Sequence, residues 1–106
     1  MDFKVIFKET FLIDLESVLK WVAAQNPAAA RKLGERIIAM GESLSFFPER
    51  YPRLRQRPQI RRFIVHKYFK IFYSIDNQAR VVEILRCWDG RQRSDPAFGA
   101  TSVSEP

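Results

Sequence analysis

Two amphipathic segments follow one another directly in the first half of the chain. Apolar residues recur at intervals of three and four from about Glu9 to Ala24 and again from Pro27 to about Leu44, which is the spacing of one helix face. Asn26 can cap the second helix, and proline suits its first position because that amide has no partner inside a helix. The sequence therefore predicts a helical hairpin whose apolar side must pack against another element.

Segments rich in Ile, Val, Phe and Tyr lie on both sides of this hairpin and predict β-strands. They are Phe3–Phe7, Ile60–Val65, Phe69–Ile75 and Arg80–Trp88. Short turns separate the last three, so we expect an antiparallel meander. Prolines deny regular structure to residues 45–59, which we interpret as an extended surface loop. The predicted fold is α+β, of order β-α-α-β-β-β, with the hairpin packed on one face of a small, mainly antiparallel sheet and the other face left open.

The length of 106 residues fits one domain. We assign residues 1–96 to it and expect residues 97–106 to form a flexible tail, because they carry too little apolar surface to pack. Cys87 and His66 are the only residues of their types, so we predict no disulfide within the chain, no metal and no cofactor. We see no signal peptide and no apolar run of the roughly 20 residues that a membrane helix needs. A soluble cytoplasmic protein without membrane contact is expected.

The basic residues are unevenly distributed along the chain. Residues 1–47 contain six basic and six acidic side chains, whereas residues 48–96 contain twelve basic and five acidic ones, a local excess of +7. Ten of those twelve are arginines, whose planar guanidinium groups suit paired contacts with phosphate or carboxylate. This segregation favours a polyanionic or acidic partner, and the alternative is a solvated surface that keeps a small protein soluble.

Several of these arginines are predicted to share one concave surface on the open face of the sheet. Arg53, Arg55 and Arg57 are spaced two apart, so in an extended chain their side chains point the same way. A solvated loop is the alternative for this spacing. Trp88 is interpreted first as a packing residue and second as a stacking platform. The residues predicted to bind a target are Arg53, Arg55, Arg57, Arg62, Arg86 and Trp88.

Five short stretches occur in an informative order and spacing: Asn26–Ala30, Phe47–Pro52, Ile60–Val65, Tyr68–Tyr73 and Val82–Arg86, the last followed by Gly90-Arg91. Together they resemble the RelE/ParE toxin superfamily, and the resemblance covers Phe3 to about Pro96. It implies the toxin of a type II toxin–antitoxin system, a plasmid stabilisation protein that inhibits growth when free. It also implies a cognate antitoxin that binds the toxin in a hetero-oligomer and blocks its working surface.

The resemblance leaves two targets open. ParE-like members inhibit DNA gyrase. RelE-like members act in the ribosome and cut messenger RNA without a metal, by attack of the ribose 2′-hydroxyl on the adjacent phosphate. For the second activity, the family motifs place basic residues at Arg61 and Lys70 in the strands, and at Arg91 and Arg93 after the last strand.

Proton transfer distinguishes the two interpretations. Nuclease members carry a Tyr or His near the C-terminus, and this chain has neither beyond Arg93. Asp89 or His66 would have to replace it. An ion pair with Arg91 would make the Asp89 carboxyl a poor acid at neutral pH. His66 falls in a predicted turn, where a solvated side chain needs no catalytic role. We therefore expect a ParE-like toxin that is not an enzyme. A RelE-like endoribonuclease is the first alternative, and an inactive nucleic-acid-binding module is the second.

Overall fold

The computed structural model describes residues 2–92 and 94–98 and contains the predicted elements in the predicted order. They are β1 (Lys4–Phe7), α1 (Glu9–Ala23), α2 (Pro27–Glu42), β2 (Ile60–Val65), β3 (Phe69–Asp76) and β4 (Val81–Asp89). The Asn26 side chain accepts a hydrogen bond from the Ala29 amide at 3.1 Å, which caps α2 as expected. None of the described helices is long and apolar enough to cross a membrane.

The strands form one sheet in the order β1-β4-β3-β2. Strands β2, β3 and β4 are the predicted antiparallel meander, and β1 lies beside β4 in parallel orientation. A parallel neighbour requires a crossover connection, which here contains both helices and the other two strands. The α+β class and the mainly antiparallel sheet are confirmed.

The helical hairpin covers one face of the sheet, which we call the helix face. Phe11 and Ile37 from the helices have no exposed surface, and neither do Ile71 and Tyr73 from the sheet. Full burial of one such apolar side chain contributes about 1.5–3 kcal/mol. This layer is therefore the main core and the rigid support for the strands.

Helix α1 also protects the part of β4 that β1 leaves without a strand partner. Strand β1 pairs with β4 only as far as Ile84. Beyond that point, Thr10 Oγ1 donates to the Leu85 carbonyl at 2.8 Å, and Asp14 Oδ2 accepts from the Cys87 amide at 3.1 Å. Two helix side chains thus satisfy backbone groups at an otherwise exposed strand edge.

The opposite face of the sheet, which we call the outer face, is partly covered, so the prediction that it is left open is corrected. A second apolar cluster lies there; its members and the side chains packed against it are Ile60, Phe72, Leu85, Leu54, Trp88 and Phe98. Residues from the loop before β2 and residues after β4 cover this face. They pack there because the strands carry apolar side chains on the outer face as well as on the helix face.

The first two residues of the predicted tail belong to this cover. The Ala97 carbonyl accepts a hydrogen bond from Arg86 Nη1 at 2.5 Å. The ring centroid of Phe98 lies 5.1 Å from that of Phe72 in an edge-on arrangement, and Pro96 is buried. Packing therefore continues past the predicted boundary at residue 96. The expectation of a flexible tail stays a prediction for residues 99–106, which lie outside the described residues.

Candidate target-binding groove

A positively charged groove of about 580 Å³ lies on the outer face beside β2. Its lining includes Arg53, Arg55 and Arg57 from the loop, Arg62 from β2, and the residues from Asp95 to Phe98. We call the four arginines the arginine groove and Asp95–Phe98 the C-terminal segment. The volume is in the range of ligand-binding clefts. Four of the six residues predicted to bind a target are thus brought together.

Backbone hydrogen bonds hold the start of the loop against β2. The Leu54 amide donates to the Ile60 carbonyl at 2.8 Å, and the Arg62 amide donates to the Pro52 carbonyl at 3.1 Å. These bonds surround an isolated antiparallel β-bridge between Arg53 and Arg61, so Arg53 leaves the backbone on the side of Arg61. The chain bends at Arg55 and Gln56, so the three loop arginines do not form the extended run that their spacing allowed. The first groove arginine is therefore presented by a backbone that is tied to the sheet.

The C-terminal segment contacts the sheet and the loop through side chains. Asp95 Oδ1 lies 3.4 Å from Lys70 Nζ, which projects from the outer face of β3. The guanidinium carbon of Arg57 lies 5.6 Å from the centroid of the Phe98 ring, a cation–π distance. One groove arginine is thus packed on the C-terminal segment.

The charge of the arginine groove is not neutralised from within. In residues 2–92 and 94–98, no ion pair involves Arg53, Arg55, Arg57 or Arg62, and the carboxylate of Asp95 is already paired with Lys70. The three loop arginines are exposed and Arg62 is half-buried. Four positively charged side chains in the lining of one groove favour an anionic ligand there.

The other two predicted target-binding residues, Arg86 and Trp88, are engaged in contacts within the protein. Arg86 forms a two-point ion pair with Asp14, with Nε to Oδ2 at 2.6 Å and Nη2 to Oδ1 at 3.0 Å. These hydrogen bonds raise the pKa of Arg86 above its ordinary value. Trp88 Nε1 donates to the Ser94 carbonyl at 2.8 Å. Both side chains therefore hold the fold together next to the arginine groove.

Arg61 and Lys70, which the nuclease interpretation pairs at one phosphate, lie on opposite faces of the sheet. Arg61 stands opposite Tyr73 in the strand register and shares its helix face, whereas Lys70 stands opposite Ile64 on the outer face. Arg61 Nη1 donates to the carbonyls of Glu49 at 3.0 Å and Tyr51 at 2.6 Å. Its guanidinium group thus stabilises the loop.

Asp89 and Arg91 form the ion pair expected from their spacing. Arg91 Nη2 lies 2.6 Å from Asp89 Oδ2, and Nε lies 2.9 Å from Oδ1. The hydrogen bond from Arg91 lowers the pKa of the Asp89 carboxyl below its ordinary value of 3.8. The Arg91 guanidinium also lies 4.2 Å from the Tyr68 ring centroid and 5.0 Å from that of Trp21. Asp89 is therefore held as a carboxylate on the helix face.

His66 lies in the turn between β2 and β3, exposed and with a φ of 54°. With Arg91, it lines a second cleft of about 450 Å³ between this turn and the helices. The cleft is also lined by Lys32 and Arg36 of α2, which sequence analysis did not single out. Arg93, the last residue of the predicted catalytic set, lies outside the described residues.

Sequence analysis also missed the contribution of the C-terminal segment and the role of Asp14. The sequence signal for the contribution of the C-terminal segment was Phe98, a large apolar residue near the start of the segment interpreted as a tail. Asp14 lies on the polar face of the predicted helix. Its spacing does not indicate a contact with Arg86, a strand residue 72 positions later.

Residues 5–94 match the family model described as the ParE toxin of the type II toxin-antitoxin system parDE. The chain therefore belongs to this family and is the toxin of a type II toxin–antitoxin system, the class in which a toxin is paired with an antitoxin. No curated protein matches the sequence.

Solved structures show the same fold at low sequence identity. A chain from the chromosomal ParDE system of P. aeruginosa superposes with a TM-score of 0.68 at 17% identity, covering 82% of this chain and 95% of that one. The RelBE2 toxin–antitoxin complex of Mycobacterium tuberculosis gives a TM-score of 0.60 at 21% identity, covering 84% and 92%. A double arginine-to-alanine mutant of the E. coli toxin RelE in the free state gives 0.62 at 13% identity, covering 84% of each chain.

Proposed function

We propose that this toxin stops growth by binding DNA gyrase through the arginine groove, as a ParE-like inhibitor that is not an enzyme. A cognate antitoxin neutralises it in a hetero-oligomer. The proposal requires the toxin to act in the cytoplasm, where gyrase works on DNA. It is supported by the family match and by a groove whose four arginines have no carboxylate partner among the described residues.

The separation of Arg61 from Lys70 is the observation that carries the proposal. Metal-free cleavage needs cations at one phosphate and a group that transfers a proton beside them. These two cations occupy opposite faces of the sheet, and Arg61 is bonded to loop carbonyls. Asp89 is a weak proton donor at neutral pH because Arg91 stabilises its ionised form.

The RelE-like endoribonuclease is the second candidate, and one contact favours it. A Cβ placed on Gly90 would lie 3.0 Å from Lys70 Cε, so Lys70 adjoins the turn that carries Asp89 and Arg91. A basic pair for a phosphate is therefore within reach at this end of β4, and Arg93 follows it in the sequence. In this alternative, Asp89 or His66 would have to transfer the proton.

Controlled expression of the toxin without its antitoxin tests the proposal. We expect growth arrest, altered plasmid supercoiling and intact ribosome-bound message, and we expect the purified toxin to inhibit supercoiling by purified gyrase. Primer extension on several messages and two-dimensional topoisomer gels provide the readouts. A variant with Arg91→Gln, a residue outside the groove, should arrest growth as well as the wild type.

The opposite pattern would overturn the proposal. Message cut at codon positions, with normal supercoiling and loss of arrest in the Arg91→Gln variant, would establish the nuclease. Normal growth with intact message and normal supercoiling would leave the inactive nucleic-acid-binding module.

A further inference from the structure

We infer that the second cleft, between the β2–β3 turn and the helical hairpin, binds a free nucleotide. We call it the turn cleft, and its lining includes Trp21, Lys32, Arg36, His66 and Tyr68. It shares no lining residue with the arginine groove among the residues that the structure describes. The inference therefore goes beyond the proposed function and does not depend on it.

One wall of the turn cleft is a preformed aromatic surface. Trp21 of α1 is 51% exposed. The guanidinium of Arg91 lies against its ring at 5.0 Å and against the Tyr68 ring at 4.2 Å. Asp89 holds that guanidinium through two short contacts, so the wall is fixed within the protein. Exposed aromatic faces of this kind are the groups on which nucleobases stack.

Two cations of α2 border the same cleft without an acidic partner. Lys32 and Arg36 are exposed and four residues apart, which places them side by side on one helix face. No ion pair of residues 2–92 and 94–98 includes either side chain, and the described lining of the cleft contains no carboxylate. Two neighbouring cations can hold the oxygens of one phosphate group through charge-assisted hydrogen bonds.

The turn at the rim of the cleft has a strained backbone. His66 and Lys67 have φ values of 54° and 77°, in the left-handed region that residues other than glycine seldom adopt. Strain of this kind is concentrated at functional sites. Here it places His66, whose ring carries an N–H donor, in the lining of the cleft. The turn thus adds a hydrogen-bond donor to the aromatic wall and the two cations.

The combination of these groups distinguishes a nucleotide from simpler ligands. Inorganic phosphate would use only the two cations, and a nucleoside would use only the aromatic wall. An acidic peptide supplies negative charge without the flat polar ring system that stacks on an exposed indole. A nucleotide carries a base and a phosphate in one small molecule and uses both parts of the cleft. The buried side chains of Leu33 and Phe69 give the cleft an apolar floor.

Isothermal titration calorimetry with the purified full-length toxin tests the inference. The probe is AMP, compared at the same ionic strength with adenosine, with inorganic phosphate and with an octapeptide of alternating Glu and Ser. We expect AMP to bind at least tenfold more tightly than each comparison ligand. Equal affinities for AMP and inorganic phosphate, or tighter binding of the peptide, would overturn the inference.

Matched charge variants locate the site. A toxin with Lys32→Gln and Arg36→Gln should bind AMP at least tenfold more weakly. A toxin with Lys4→Gln and Arg31→Gln loses one lysine and one arginine from exposed positions that line neither the turn cleft nor the arginine groove. It should bind AMP within twofold of the wild type. Circular dichroism melts verify that both variants fold, and equal losses of affinity would contradict the assigned site.

The aromatic wall has its own test. Trp21→Ala should weaken AMP binding at least fivefold, whereas Trp21→Tyr, which keeps an aromatic face, should bind AMP within threefold of the wild type. In proton–nitrogen correlation spectra, AMP should shift the indole N–H signal of Trp21. The indole of Trp88, which is bonded to the Ser94 carbonyl, should not respond. A shift confined to Trp88 would overturn the inference.

Discussion

Arg86 and Arg91 differ from the groove arginines because each forms an ion pair with a carboxylate. Asp14 holds the first and Asp89 the second, each through two short contacts. No carboxylate of the described residues pairs with Arg53 or Arg55. The same residue type therefore stabilises the fold at some positions and presents charge to a partner at others, and the neighbouring carboxylates decide which.

The Asp89–Arg91 pair predicts a pH dependence of folding. Because the folded-state pKa of Asp89 lies below its ordinary value of 3.8, the pair stabilises the fold fully above that value, and the stabilisation is lost as the pH falls through the folded-state pKa. The difference in free energy of unfolding between the wild type and Asp89→Asn should be constant from about pH 7 to about pH 5 and shrink below about pH 4.

Urea denaturation at pH 7, 5, 4 and 3 checks this expectation. Glu16→Gln is the control, because Glu16 forms an exposed i,i+4 pair with Lys20 that contributes little. A difference between the wild type and Asp89→Asn that grows on acidification would contradict the assigned role of the pair.

At the scale of elements, the helices and strands follow closely from the sequence, and the pairing of distant segments does not. Asn26 and Pro27 locate the start of α2, and the apolar run Ile60–Val65 coincides with β2. The parallel position of β1 beside β4 depends on contacts between segments more than 70 residues apart, which no local pattern encodes. The carboxylate partner of Arg86 depends on another long-range contact, between α1 and β4, whereas the partner of Arg91 lies two residues away.

The candidate site could also be predicted only in part, because the sequence shows local alternation along a strand but not contacts between distant segments. The alternation of β2 separates the faces of Arg61 and Arg62, and the burial of Phe63 assigns Arg61 to the helix face. The sequence therefore predicts that Arg61 and Arg62 face opposite sides, and the structure shows that Arg62 is the one that lines the groove. The position of Phe98 against Phe72 depends on tertiary packing and could not be derived from its neighbours.

The contact between α1 and the edge of β4 predicts a large loss of stability on removal of Asp14. Asp14→Ala removes the ion pair with Arg86 and the acceptor of the Cys87 amide, in a largely buried setting. We expect the free energy of unfolding to fall by about 2–3 kcal/mol. Glu16→Ala, on the exposed side of the same helix, should cost about 0.5 kcal/mol or less.

Urea denaturation compares these two variants, and hydrogen exchange gives a local readout. The Cys87 amide should exchange faster in Asp14→Ala than in Glu16→Ala. Equal losses of stability with unchanged exchange at Cys87 would show that this helix–strand contact contributes little.

At the scale of the whole molecule, the neutral and the basic parts of the sequence form different parts of the fold. The first 47 residues are neutral and supply β1 and the helical hairpin that supports the sheet. Residues 48–96 carry the excess charge of +7 and supply the arginine groove beside β2. A rigid, neutral support thus presents a positively charged surface at a fixed position.

Inhibition of purified gyrase by matched charge variants is the most direct test of the claim that the arginine groove carries the toxic activity. Removing two groove arginines by Arg53→Gln and Arg55→Gln should raise the toxin concentration needed for half-inhibition of supercoiling at least tenfold. Arg31→Gln with Arg36→Gln should change it less than twofold. Equal inhibition by the two double variants would contradict the account.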